Sequence, residues 1–184
     1  MARPANVKVV WTYSDYRSLP DDRNRYEVID GDLYVTPSPT TAHQKASKRI
    51  QMLLMTQIEE RGLGVVFAAP LDVILSDTRV VQPDLVAVRR EREGIVTERG
   101  IEGPPDLVVE ILSPSTEKTD REAKAKLYAS VGVPEYWIVD VAAHTIEVLE
   151  LDVAGYRLRA RHGPGGRVAS TVFELDVDID RVFR

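Results

Sequence analysis

The period of the apolar positions changes several times along this chain, and each change marks an element. Leu107-Val108-Val109-Glu110-Ile111-Leu112 is an almost unbroken apolar run, the pattern of a strand covered on both faces. Ser113-Pro114 ends it, because proline cannot continue a ladder. A helical stretch from about Glu117 to Ser130 follows, with Ser115 or Thr116 placed to cap it. Glu117, Asp120 and Glu122 sit near its electropositive start, and Gly132 and Pro134 stop it. Glu135–Asp140 reads as the next strand. Strand, helix and strand of this length form a crossover, which predicts two parallel strands.

The rest of the chain is patterned more weakly. Thr12 with Asp15 suggests a short capped helix closed by Leu19-Pro20. Tyr26–Ile29 and Leu33–Val35 flank Asp30-Gly31-Asp32 as a hairpin. The longest helical period runs from Thr41 to Arg61, with Ile50, Leu53, Leu54, Gln57 and Ile58 on one face and Gly62 and Gly64 at its end. Strands are expected at Val65–Ala68, Leu71–Leu75 and within Val80–Val88, the last with Asp84 at its start. Arg89–Glu93 reads as a surface connector. Thr145–Leu151 and Tyr156–Arg161 read as a second hairpin, and a short strand or tail runs through Phe173. The order predicts a mixed sheet with few helices, an α+β or small α/β core.

At 184 residues the chain has the length of one domain, and we divide it into an N-terminal arm and hairpin (1–40), a core (41–140) and a β-rich extension (141–184). Hydrophobic residues at 43% and charged residues at 29% are those of an ordinary globular protein. The absence of cysteine excludes disulfides and thiolate zinc sites, leaving carboxylates and three histidines as metal ligands. No apolar run reaches membrane-spanning length and no signal-peptide pattern opens the chain, so the expectation is a cytoplasmic protein. A net charge of −5 weighs mildly against a protein that coats itself in nucleic acid, without excluding a local basic groove.

Against that background Glu110 stands out. A lone ionised carboxylate inside a buried strand costs several kcal/mol, so it must be protonated, paired with a cation or bound to a metal. Asp120, Lys124 and Tyr128 recur every four residues on the following helix, a spacing that lets Lys124 reach back over the end of the strand. Lys126 points roughly 200° away and is expected in solvent.

Pro83-Asp84, Glu110 within DLVVEIL, Ser113-Pro114-Ser115-Thr116, Asp120, Lys124, Tyr128 and Gly132–Trp137 together resemble the Uma-two family of "putative restriction endonucleases", part of the PD-(D/E)XK nuclease superfamily. The resemblance takes in Tyr26–Gly31 and His43 and covers roughly Thr12 to Val148. It implies a restriction-endonuclease-like core in the order α-β-β-β-α-β, with a mixed central sheet and extra hairpins at both ends. It further implies Asp84, Glu110 and the carbonyl of Ile111 as ligands of Mg²⁺, with Mn²⁺ possible, and DNA as substrate. Leu112 stands where the superfamily signature has its lysine, and Lys124 matches the lysine that the family supplies from the next helix. Glu27 and His43 complete the implied set. A homodimer is the superfamily expectation.

Plain readings compete with each assignment. Asp84 alone is a turn aspartate after proline. Glu110 could be half of a buried ion pair with Lys124, with no metal, and Lys124 an exposed helix lysine. Glu27 could be a hairpin surface residue, and His43 a helix-capping or surface side chain. Tyr128 and Trp137 read as core, and Glu135 and Asp140 as structural. The functional rivals are a weakly cleaving nucleic-acid-binding or regulatory module on the same fold, and a protein–protein adaptor with a structural ion pair.

Overall fold

The structure, a computed structural model, describes residues 9–22 and 24–184; the part of the N-terminal arm at residues 1–8 lies outside it. Short α1 (Tyr13–Tyr16) carries the capping box read from Thr12 and Asp15. Strands β1 (Arg25–Ile29) and β2 (Asp32–Thr36) form the first hairpin. Its two turn residues, Asp30 and Gly31, both have positive φ, the turn whose twist suits a two-residue hairpin. Gly31 takes up the positive φ without strain, and a Cβ there would also meet the Val10 side chain at 2.6 Å.

Helix α2 (Thr41–Ile58) buries Ala46, Ile50, Leu53, Leu54 and Ile58. The chain then alternates between two sheets. Strands β3 (Gly64–Ala68), β6 (Leu85–Arg89), β9 (Leu107–Ile111), β10 (Glu135–Asp140), β11 (Thr145–Asp152) and β12 (Gly155–His162) build a central sheet in the order β12-β11-β10-β9-β6-β3. Strands β4 (Val73–Ser76), β5 (Arg79–Val81), β7 (Val96–Thr97) and β8 (Gly100–Glu102) join the first hairpin in a second sheet, β2-β1-β5-β4-β8-β7. Strand β9 runs parallel to β10 and antiparallel to β6, so the central sheet is mixed, and its elements follow the α-β-β-β-α-β order. One face packs on α2 and on a C-terminal hairpin, β13 (Arg167–Ser170) with β14 (Leu175–Asp178), that leads into α4 (Ile179–Phe183). The other face packs on the helix after β9 and on residues of the second sheet.

Three expectations change. Within Val80–Val88 the strand expected from Asp84 is present as β6, but the residues before it form β5 in the other sheet, divided from it at Gln82-Pro83-Asp84, where proline lacks the N–H that a ladder needs. The helix after β9 is not uniformly α: a π-helical turn, Thr119–Lys124, precedes α3 (Ala125–Val131), which ends at Gly132 in the left-handed conformation. The connector after β6 is a 3₁₀ helix, Arg90–Ile95, tied down because Arg89 and Arg92 both donate to the fully buried Asp106. The tail folds back, with the Gln57 side chain both donating to and accepting from the backbone of Asp176 at 2.8 Å. Among the described residues no helix is long and apolar enough to cross a membrane.

The α2 face carries much of the larger core. Leu54→Ala, at a fully buried position of that face, is expected to cost about 2–5 kcal/mol in urea denaturation; a loss below about 1 kcal/mol would mean that α2 is not seated as described.

Candidate active site

The divided strand decides where the site lies. Asp84 sits in the link from β5 to β6, where the chain crosses between sheets. Continuing the β6–β9 register (Leu85 opposite Val109) by one residue sets Asp84 opposite Glu110 on β9. Two acids 26 positions apart thus meet at one sheet end. There they line a cleft of about 200 Å³ with Arg25, Glu27, His43, Ile111, Asp120 and Lys124, walled by Thr36–Thr40 and Ser113–Thr116.

Lys124 sits in the middle of the acids. Its Nζ lies 2.8 Å from Glu27 Oε1, 2.9 Å from Glu110 Oε1 and 3.5 Å from Asp120 Oδ1, and all four side chains are at most 3% exposed. These acids come from three elements: Glu27 from β1 of the second sheet, Glu110 from the central sheet and Asp120 from the π turn. Asp120 and Lys124, four residues apart in the π turn, both face inward; Lys126 is exposed, as its position on the helix predicts. Glu27 Oε1 also accepts from the backbone N–H of Gln82 at 2.8 Å, tying β1 to the β5–β6 link. The hairpin-surface reading of Glu27 and the exposed-lysine reading of Lys124 therefore do not fit. The ion pair that accounts for Glu110 without a metal is present, and the Tyr128 hydroxyl adds a 2.8 Å bond to the same Oε1. Tyr128 is core by its ring yet touches the acid, a contact that helix spacing alone did not weigh.

Asp84 is held from three sides. Arg25 Nη1 donates to Oδ1 at 2.9 Å, while the backbone N–H of Ile111 at 2.9 Å and His43 Nε2 at 3.0 Å meet Oδ2. His43 does two things at once: its backbone N–H closes the α2 cap on Thr40, and its ring lies on Asp84. Arg25 escaped the sequence reading. Its signal was available, since it stands two residues before Glu27 on one strand and so shares its face. The sequence marks Asp120 as a helix-start charge and a member of the Lys124 stripe; the structure makes it a cleft acid as well. Trp137 is buried with its indole N–H on Glu135, 2.6 Å away, which keeps both structural.

The charges do not balance. Four carboxyl groups, Glu27, Asp84, Glu110 and Asp120, face two permanent cations, Arg25 and Lys124. Burial pushes the Glu110 carboxyl up to about 8; Lys124 opposes the rise, and Asp120, Asp84 and Glu27 add to it. Burial likewise raises Asp120 against the pull of Lys124. For Asp84 burial works upward, but the His43 bond, the charges of His43 and Arg25, and the Ile111 N–H outweigh it and hold the carboxyl below its usual range. Burial disfavours the Lys124 ammonium, yet Glu110, Glu27 and Asp120 raise its pKa, so it stays protonated.

The donor set fits a hard divalent cation. Asp84 and Glu110 offer carboxylate oxygens beside Ile111, and the surplus negative charge is what such an ion would neutralise. Two buried atoms in the cleft, His43 Nδ1 and Asp120 Oδ1, have no hydrogen-bond partner among the described residues, so the cleft has polar capacity to spare. Among the described residues no three His, Asp or Glu side chains form a ready-made cage. Magnesium needs none, because it keeps several waters and takes one or two protein carboxylates.

The chain is similar to known proteins along almost its whole length. The profile of the Uma2 family, described as "Putative restriction endonuclease", matches residues 13–180. An uncharacterised protein of the cyanobacterium Synechocystis is 24% identical over 163 residues, covering 88% of this chain and 85% of its own length. The crystal structure of a putative nuclease from Anabaena variabilis superposes with a TM-score of 0.76 at 19% identity, covering 94% of this chain and 97% of that one. At that identity the likeness is one of fold.

The raised Glu110 carboxyl sets a pH dependence. Its folded-state pKa of about 8 lies above the ordinary 4.5, so the folded protein binds the extra proton. That stability is complete below about pH 4.5 and is lost as the pH rises through about 8, at no more than about 1.4 kcal/mol per pH unit. Asp120 acts with the same sign; Asp84 acts oppositely, its contribution lost on acidification below its ordinary 3.8. In EDTA, the thermal midpoint of the parent should fall relative to that of Glu110→Gln between pH 5 and 8. Parallel profiles would show that Glu110 takes up no extra proton.

Proposed function

Because this chain belongs to the Uma2 family of "putative restriction endonucleases", we propose that it is a divalent-metal-dependent endonuclease. The substrate is DNA and the ion Mg²⁺, with Mn²⁺ as substitute. One observation carries the reading: Asp84 and Glu110 meet across β6 and β9 with the Lys124 ammonium 2.9 Å from Glu110, in a cleft that has surplus negative charge.

Asp84, Glu110 and the Ile111 carbonyl would hold the ion. A divalent ion there supplies Lewis-acid polarisation of a phosphoryl oxygen and lowers the pKa of a water. The Ile111 N–H and His43 fix the Asp84 carboxylate in orientation and keep it ionised. Lys124 stays an ammonium, so it is a hydrogen-bond donor and a compensating charge rather than a proton acceptor. Aimed into the cleft, it orients the attacking water and offsets negative charge as phosphorus becomes five-coordinate. Glu27 positions Lys124, and His43 positions Asp84 through Nε2. In the net reaction one ester P–O bond breaks, water adds its oxygen to phosphorus, and its proton passes to the leaving alkoxide.

A weakly cleaving binding module is the second reading. It draws on the fact that Arg25, His43 and Lys124 already satisfy much of the acid pair. Calorimetric Mg²⁺ titration should show binding that Asp84→Asn and Glu110→Gln each weaken at least tenfold; binding unchanged in both variants would remove the metal site. In a plasmid-nicking assay Lys124→Ala should lose about 10²–10³ in rate, the scale of one transition-state donor. A folded, metal-binding parent that cuts no DNA form would hand the site to the binding-module reading.

A further inference from the structure

Arg25 stands apart from the other charges of the cleft. Its side chain is 19% exposed against 3% for Lys124, so it is the permanent cation that an arriving ligand can reach. Its Nη1 is held twice, by Asp84 Oδ1 at 2.9 Å and by the carbonyl of Gln82 at 3.1 Å; among the described residues hydrogen bonds engage no other nitrogen of the guanidinium. Arginine has five N–H donors, so most of its capacity is unspent. It also lines a neighbouring cleft of about 240 Å³ with Asn24, Gln44, Pro70 and Gln82, which shares the Pro37–Pro39 wall with the acid cleft. A strand leaving the acid cleft toward this one would pass over the guanidinium.

Asp84 is the constraint. Oδ2 is already occupied by His43 and the Ile111 N–H, which leaves Oδ1 as the oxygen for an incoming cation, and Arg25 occupies it. A divalent ion and a guanidinium on one carboxylate oxygen repel each other. Resting on the nuclease reading, we propose that Arg25 is a phosphate-binding residue stored on Asp84. Cation binding at Asp84 expels the guanidinium, which then takes the phosphate beside the scissile one through its paired N–H donors. Arg25 is thus in one state a brake on cation binding and in the other a clamp on substrate.

The two roles predict opposite signs, which a merely structural arginine would not produce. Without nucleic acid, Arg25→Gln should bind Ca²⁺ about three- to tenfold more tightly than the parent by calorimetry, because a competing charge is gone. With Ca²⁺ present, it should bind a labelled oligonucleotide about tenfold more weakly, and the slope of log affinity against log salt should fall by about one. Strand integrity is checked on a gel. In EDTA, with the guanidinium still on Asp84 in the parent, the two should bind the strand alike. Arg25→Lys keeps the charge but not the paired donors, so Ca²⁺ affinity should stay parental while strand binding with Ca²⁺ falls at least threefold; this variant carries the test should Arg25→Gln not fold.

Weaker or unchanged Ca²⁺ binding in folded Arg25→Gln, or parental strand binding in either variant, overturns the proposal and leaves the nuclease reading standing. A parent that binds neither Ca²⁺ nor Mg²⁺ defeats both.

Discussion

A single buried ammonium organises this protein. Lys124 lies within 3.5 Å of carboxylates from the second sheet, the central sheet and its own helix. Desolvating these groups is expensive, and only close mutual contact offsets it. The cluster therefore acts as a registration device as much as a source of energy. A helix rotated or a hairpin displaced by one residue would strand an unpaired buried charge, a far larger penalty than a lost apolar contact. Asp120 and Lys124, four residues apart, both face inward from the π turn.

The second constraint is topological. The chain leaves the central sheet after β3, runs through β4 and β5, and returns at β6. Pro83 marks the return, since it can extend neither ladder, and Asp84 is the first residue back. An acid at such a crossing is near both sheets, which is why Asp84 can be reached by Arg25 from β1, His43 from α2 and the Ile111 N–H from β9. The acid cleft lies where those elements converge.

Electrostatics then links the fold to chemistry. Burial leaves Glu110 with a raised carboxyl, while the surrounding carboxylates leave Lys124 with a firmly held proton. In the proposed function a divalent cation supplies the positive charge that the acids lack, and the ammonium, which cannot act as a base, offsets the charge of a phosphate. The pairs that make the cation-free protein stable are those that a cation and substrate would rearrange.

Much of this was legible along the chain. The apolar run around Glu110, the stop signals at Ser113-Pro114 and Gly132, and the four-residue spacing of Asp120, Lys124 and Tyr128 determined the crossover and the acid–amine pair, because these are local rules of period and capping. Asp84 and Glu27 came from motif resemblance, since nothing in their immediate neighbourhoods marks them as buried. Three things were decided only in three dimensions: the division of Val80–Val88 between two sheets, the π turn, and the placing of Arg25 on Asp84. Each depends on partners more than twenty residues away or on a choice between competing burials, and local pattern carries no record of such partners. Sequence supplied the charged groups; the packing of two sheets and two helices selected which of them must share a single cleft.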